Sequence, residues 1–367
     1  MALAPLSQIP ADVVAVDDYI ELAKARMSPQ AWAYFSGGVA DERLLVDNIH
    51  AWHQYSVMPR VLSDFDGATT AFSLLNKTHP FPIFCAPIAF QRMAHPAGEL
   101  ASALAAAAME TPYIISMQSS TPLEPLCEQA PGTKWLQWYW QTDEIASQKL
   151  LSKAQSLGIE AIVLTVDAPV NGLRNREQRA GFVLPADIQA VLLEDFDIPP
   201  LPQGAPGESP IFGSGFLANA PNWDKVQQFI ENCPLPVMLK GILHPLDAQK
   251  ALEVGADGII VSNHGARVLD ILPPTARVLK SICDLIDGRI PVLVDGGIRR
   301  GSDVFIALAL GATAVMIGRP YLYALAAAGA PGVAHVLHIL RTELEVCMAL
   351  SGCKTLAQIK SIELLSH

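Results

Sequence analysis

The sequence predicts an α/β protein, a closed (β/α)8 TIM barrel with an N-terminal helical extension and a long loop after strand 4. Three observations lead there. Eight short runs rich in β-branched and aliphatic residues recur along the chain, most of them separated by helical patterns. Eight is the number a closed barrel needs, and no GxGxxG follows the first run, which counts against a doubly wound dinucleotide-binding sheet. Polar residues gather at the C-terminal ends of the runs, while the N-terminal ends are apolar or begin at proline.

The elements follow in order. Residues 1 to about 80 read as a helical preface, with helices in ADVVAVDDYIELAKARM and in SPQAWAYFSGG, the latter stopping at Gly37 and Gly38. The strands are PIFCAPIAF (82–90), PYIIS (112–116), WLQWYW (135–140), AIVLTVD (161–167), PVMLKG (236–241), GIIVSN (258–263), PVLVDG (291–296) and AVMIG (314–318). Between them, GELASALAAAAME (98–110) is Ala-rich and amphipathic, and DEIASQKLLSKAQSLG (143–158) opens on acids and closes on glycine, as helix ends favour. PLDAQKALEVG (245–255) and GSDVFIALALG (301–311) carry Pro or Asp near the start and Gly at the stop. Residues 170 to 221, leaving the C-terminal end of strand four, are Pro- and Gly-rich and read as a partly mobile lid over the active-site face. The whole chain, 1–367, reads as one domain.

Composition narrows the function. The chain is 51% hydrophobic and 17% charged, which allows a large core. Its net charge of −11 weighs against nucleic acid or an anionic membrane as partner. The six cysteines are scattered with no CxxC pair, as buried thiols would be. The N-terminal segment lacks a basic stretch and is broken by Pro5 and Pro10, so no signal peptide is expected. The apolar runs are short or interrupted by Gly and Pro, and no HExxH is present. The expectation is a cytoplasmic, metal-free protein.

In a barrel the strand tips converge on one face. Here they carry Ala86, Pro87 and Ala89; Ser116; Gln137 and Tyr139; Thr165 and Asp167; Lys240; His264; Asp295; and Gly318. DGGIRRGSDV (295–304) and IGRP (317–320) add glycines, arginines and a helix start, the parts of a phosphate site after strands seven and eight. Lys240 suits either a Schiff-base nucleophile or a charge facing an anionic group, and an available His264 favours the second. In VSNHGARVLD (261–270), His264 can act as a base if a carboxylate such as Asp167 lies near it. Arg267 and Arg174, with a tyrosine, could hold a small carboxylate through charge-assisted bonds.

VSNHGARVLD, DGGIRRGSDV, ALALGA, IGRP, LTVDAPV and YFSGGVADE, followed by Asn48 and PRVL, together resemble the FMN-dependent L-2-hydroxy acid oxidases and dehydrogenases from about residue 15 to 360. Glycolate oxidase, lactate oxidase and mandelate dehydrogenase are members. The resemblance implies His264 as base with Asp167 as its partner. It implies Arg267, Arg174 and Tyr34 on the substrate carboxylate and Tyr139 on its hydroxyl. Lys240 would sit beside the flavin ring, flanked also by Ala89, Ser116, Gln137 and Thr165, with Ser262 among the cofactor-binding residues. The FMN phosphate would lie on Gly297, Arg299, Gly318 and Arg319, and Asp295 would face the ribityl chain. The base would remove either the hydroxyl proton or the C2 proton. Gln118, Ile88 and Asn171 depart from common family residues at pocket positions, so a lactate-like or larger substrate is expected rather than glycolate. The Pro/Gly-rich loop lacks the apolar segment of membrane-bound members, which favours an oxidase using O2 over a dehydrogenase with another acceptor. A homotetramer is expected from the resemblance. A barrel aldolase or isomerase acting on a phosphorylated substrate, and a barrel that only binds flavin, are the competing readings.

Overall fold

The computed structural model describes residues 3–197, 207–213 and 216–367. Eight parallel strands close into a barrel: β1 (Ile83–Cys85), β2 (Tyr113–Ile115), β3 (Lys134–Tyr139), β4 (Ala161–Thr165), β5 (Val237–Ile242), β6 (Gly258–Val261), β7 (Val292–Val294) and β8 (Ala314–Ile317). Each pairs with its sequence neighbour, and β8 returns to β1. The helices that follow them are α1 (Gly98–Ala108), α2 (Leu123–Glu128), α3 (Glu144–Ser156), α4 (Trp223–Asn232), α5 (Pro245–Glu253), α6 (Thr275–Ile286), α7 (Gly301–Ala309) and α8 (Arg319–Ser351).

Strand residues alternate between two cores because successive side chains point to opposite faces. Phe84, Ile114, Trp135, Val163, Met238, Ile260, Leu293 and Met316 fill the barrel interior. Their neighbours, such as Leu136, Leu164, Leu239, Ile259 and Val315, pack under the helices. Two residues further along the inward face the chemistry turns polar. Trp135 leads to Gln137, Val163 to Thr165, Met238 to Lys240, and Leu293 to Asp295. The same parity that builds the core therefore aims the functional groups.

The preface is only partly helical, which corrects the reading of residues 1 to 80. Strand Tyr55–Val57 pairs antiparallel with Leu364–Ser366 near the C-terminus. A hairpin, Phe72–Leu74 with Lys77–His79, places Leu74 in the barrel-interior cluster and so closes its base. The helices present are short: Tyr19–Lys24, Pro29–Ser36 and Arg43–His50. The second begins at Ser28, whose Oγ accepts from the N–H of Ala31 at 3.1 Å. The third borrows its cap from the loop after β6, Asp270 Oδ1 accepting from the N–H of Leu44 at 3.0 Å.

Among the described residues one helix, α8, is long and apolar enough to cross a membrane by length and composition, and 72% of its apolar window is buried inside the fold. It is two helical segments joined at a break: the backbone leaves helical geometry at Ala328 and Gly329, just before Pro331, as the interruption in the sequence suggested. Of the lid-like loop, residues 198–206 and 214–215 lie outside the described residues. Its first part carries a short helix, Asn175–Arg179.

Candidate active site

The strand tips open onto one cavity of about 650 Å³, a size suited to a cofactor and small ligand. Tyr34, Ala89, Ser116, Gln137, Tyr139, Thr165, Arg174, Lys240, His264, Arg267, Asp295, Gly297, Arg299, Gly318 and Arg319 all line it, as do Gln118 and Asn171. Asp167 and Ser262 do not. Asp167 sits behind His264, its Oδ1 2.9 Å from Nδ1. Ser262 is fully buried, and its Oγ accepts from Lys240 Nζ at 2.9 Å and from the N–H of His264 at 3.1 Å. Ser262 thus supports Lys240 and the backbone of the base from beneath the cavity, and its own O–H remains available as a donor.

The base is held under strain. His264, Gly265 and Ala266 are consecutive left-handed residues, with φ of 58°, 59° and 62°. Such geometry is costly for residues other than glycine. Neighbouring bonds hold it in place. Asn48 and Asn263 exchange side-chain hydrogen bonds at 3.0 and 2.7 Å, and Arg319 donates to the Gly265 carbonyl at 2.9 Å. Gly241, a left-handed bulge in β5, makes room for Asp167. A Cβ there would lie 2.4 Å from the Asp167 Cβ.

The electrostatics set the protonation states. Burial lowers the His264 pKa below its ordinary value, opposed by Asp167 and assisted by Lys240 and Arg267. Burial acts to raise Asp167, but the charge and hydrogen bond of His264, with Lys240 behind them, outweigh it and leave Asp167 below its ordinary value. A neutral imidazole facing an ionised Asp167 donates from Nδ1–H. Nε2 then keeps its lone pair, 3.3 Å from the Tyr139 hydroxyl. Burial also pushes the Tyr139 and Tyr34 pKa values up, so both remain donors at neutral pH.

Arg267 is the centre of the carboxylate corner. Its Nη1 donates to the carbonyls of Tyr34 (2.6 Å) and Gly37 (3.0 Å), and its guanidinium lies 5.0 Å from the centre of the Tyr34 ring. Phe182, from the long loop, stacks on the same ring at 4.9 Å. Arg174 stands beside them with its buried Nε free of any hydrogen-bond partner. Sequence reasoning missed Phe182, Glu177, Gly241 and the clamp on residues 34–42, where Arg176 meets Glu42 and Ser36. The one available signal was the density of charges in LRNREQR (173–179).

At the anion end the expected residues Gly297, Arg299, Gly318 and Arg319 all line the cavity, but the open helix start is not the one at residue 301. The N–H groups at the start of α7 are already taken: Asp303 accepts from Arg299 at 2.8 Å and Arg300 at 2.9 Å, and Glu343 accepts from Gly301 at 2.7 Å. The start of α8, at Gly318, carries no side-chain cap and remains available with the guanidinium groups of Arg299 and Arg319. Arg319 uses three N–H groups on the carbonyls of Phe35, Gly265 and Gly37, at 3.0, 2.9 and 2.7 Å. Burial lowers its pKa to about 10, so it is still a cation at neutral pH. Between the two ends, Lys240 Nζ is 3.4 Å from Asp295 Oδ2. This pairing fits a charge role better than a free-amine nucleophile. Asp295 Oδ1 is buried without a partner, as a carboxylate awaiting a ligand hydroxyl would be.

Fold and cavity together define a barrel enzyme with a histidine base, an arginine corner for a carboxylate and a seat for a phosphate-bearing cofactor. A family model described as FMN-dependent dehydrogenase matches residues 23–365. The L-lactate oxidase of Roseobacter sp. (strain GAI101) is 45% identical over 346 residues, 94% of this chain and 93% of that protein. Glycolate oxidase 1 of Zea mays is 39% identical over 348 residues, 95% of this chain and 94% of that protein. The structure of mandelate oxidase with (S)-2-phenylpropionate has a TM-score of 0.87 at 38% identity, covering 96% of this chain and 98% of that one. The chain belongs to the FMN-dependent dehydrogenase family, whose members include 2-hydroxy acid oxidases; it is an oxidoreductase and its cofactor is FMN. The aldolase and binding-module readings are thereby set aside. The residues fit the cofactor: Arg299, Arg319 and the α8 start would hold its phosphate, Asp295 its hydroxylated chain, and Lys240 its ring.

Proposed function

We propose that this enzyme converts a small L-2-hydroxy acid and O2 to the 2-oxo acid and H2O2, with lactate-like or somewhat larger substrates preferred to glycolate. The observation that carries the reading is the His264–Asp167 pair at 2.9 Å, whose Nε2, 3.3 Å from the Tyr139 hydroxyl, faces a cavity that also holds Arg174 and Arg267. FMN, when bound, supplies the two-electron acceptor. The guanidinium groups of Arg267 and Arg174 and the Tyr34 hydroxyl orient the substrate carboxylate. The Tyr139 hydroxyl donates to the substrate hydroxyl. Nε2 of His264 accepts a proton from the substrate, and Asp167 stabilises the imidazolium that results. The use of O2 is supported by relatives named as oxidases, and a larger substrate by Gln118 and Asn171 on the cavity wall. The resemblance also favours a homotetramer.

The test is a panel of 2-hydroxy acids on the purified yellow protein. L-lactate or a larger L-2-hydroxy acid is expected to bleach the flavin without oxygen, with colour and H2O2 appearing on admission of air. The highest kcat/KM falling on glycolate would overturn the substrate assignment. Recovery of colour only with an artificial acceptor would overturn the assignment of O2. The pH dependence follows from the base. His264 works unprotonated and its pKa is depressed below 6.5. The acid limb of kcat/KM is therefore expected below pH 6.5, with full activity above it, as read from steady-state rates across pH.

A further inference from the structure

Arg174 and Arg267 are both largely buried, with 19% and 16% of their side chains exposed, and they converge on a single oxygen. That oxygen is Oε1 of Glu177, 3.4 Å from Arg174 Nη1 and 3.1 Å from Arg267 Nη2. Glu177 is 12% exposed and lines the same cavity. Among the described residues, no other carboxylate forms an ion pair with either arginine. Asp295 and Asp167, the other acids at the site, are engaged with Lys240 and His264. The corner that receives the substrate carboxylate therefore carries a net single positive charge: two guanidinium groups less one carboxylate.

We propose that Glu177 sets the charge this corner accepts, making it complementary to a singly charged 2-hydroxy acid and its 2-oxo product and unfavourable to a dianion of similar size. The inference rests on the function proposed above and adds a specificity-determining residue to it. A monoanion brings the corner to neutrality. A dianion leaves one negative charge in excess among side chains that are largely buried, where like charges repel more strongly than in bulk water. The local structure supports a dedicated role. Glu177 lies three residues after Arg174, on the short helix Asn175–Arg179, which brings it back over that arginine. The intervening Arg176 goes the other way, to Glu42 and Ser36. The loop thus already has an outward clamp, and Glu177 is free to serve the cavity.

Glu177→Gln keeps an oxygen for Arg267 and removes the charge. Binding of pyruvate and of oxalate, close in size but different in charge, can be followed on the FMN-loaded enzyme by perturbation of its visible spectrum. In E177Q the oxalate-to-pyruvate affinity ratio is expected to rise by about tenfold or more, and in Glu177→Asp to stay near that of the unmodified protein. If E177Q does not fold, Glu177→Ser, which also removes the charge, is read in the same way, with a raised ratio expected. An unchanged ratio in the folded variants, or equal losses of affinity for both anions, would leave Glu177 a mere clamp and overturn the proposal. Unmodified protein that binds no flavin, or is bleached by no hydroxy acid, would remove the functional reading itself. Normal bleaching with a fixed ratio would remove this inference alone.

Discussion

Replacing His264 with asparagine is expected to lower kcat/KM by about a thousandfold, within the range general bases contribute, while FMN stays bound. Asparagine is the informative choice because position 264 has φ of 58°, and asparagine tolerates left-handed backbone better than most residues. The turn into Gly265 and Ala266 then survives, and only the base is lost. The effect is large because neither of the two groups beside the ring can replace it as the base. Tyr139 is held protonated by burial, and Asp167 stands behind the ring rather than on the cavity. Anaerobic stopped-flow bleaching by the best substrate measures the chemical step, and the visible spectrum measures the retained cofactor. A variant that stayed yellow and bleached at the unmodified rate would show that position 264 does not carry the chemistry.

Arg267→Lys is expected to lower kcat/KM by about a hundredfold, most of it through KM. The substitution keeps the charge and removes the planar fork. One guanidinium now serves the carbonyls of Tyr34 and Gly37, the carboxylate of Glu177 and the face of the Tyr34 ring. A lysine ammonium cannot reach all of these and a substrate carboxylate as well. Charge-assisted bonds contribute about 1.5–3 kcal/mol each, so losing one to the substrate, with some disorder of Tyr34, accounts for the factor. Steady-state kinetics on substrate series of fixed headgroup would check it. A change in kcat alone would mean that Arg267 acts on the base instead of the carboxylate.

The catalytic pair, Lys240 and Arg267 were legible because they end strands or follow them closely, whereas Tyr34, on a helix of the preface, was legible only through the family motif. A strand end is marked by local composition, and in a barrel every such end lies on one face. His264, Asp167 and Lys240 could be assigned from that rule and the family motifs alone. Glu177 could not, because its neighbour Arg176 carries charge as well and only the turn of a five-residue helix separates the one facing the cavity from the one facing Glu42. Ser262 has the right parity for the cavity, yet it lies beneath the Lys240 ammonium it accepts from. The start of α7 has the sequence of an anion site, yet its amides are closed by Asp303 and by Glu343, which comes from α8.

By itself, the sequence determined the strand count, the alternation of inward and outward faces, and the kinds of group presented at the open end. These depend on periods of two and 3.6 residues and on neighbours a few positions away. Tertiary structure alone decided which of those groups reach the cavity and which are spent on holding it. It also decided that residues 72–79 close the base of the barrel and that Asp270 caps a helix in the preface. Those outcomes join segments far apart in the chain. A hydrogen-bond donor or a charge is satisfied by whatever partner closure of the fold brings within about 3 Å, and no local pattern records that partner.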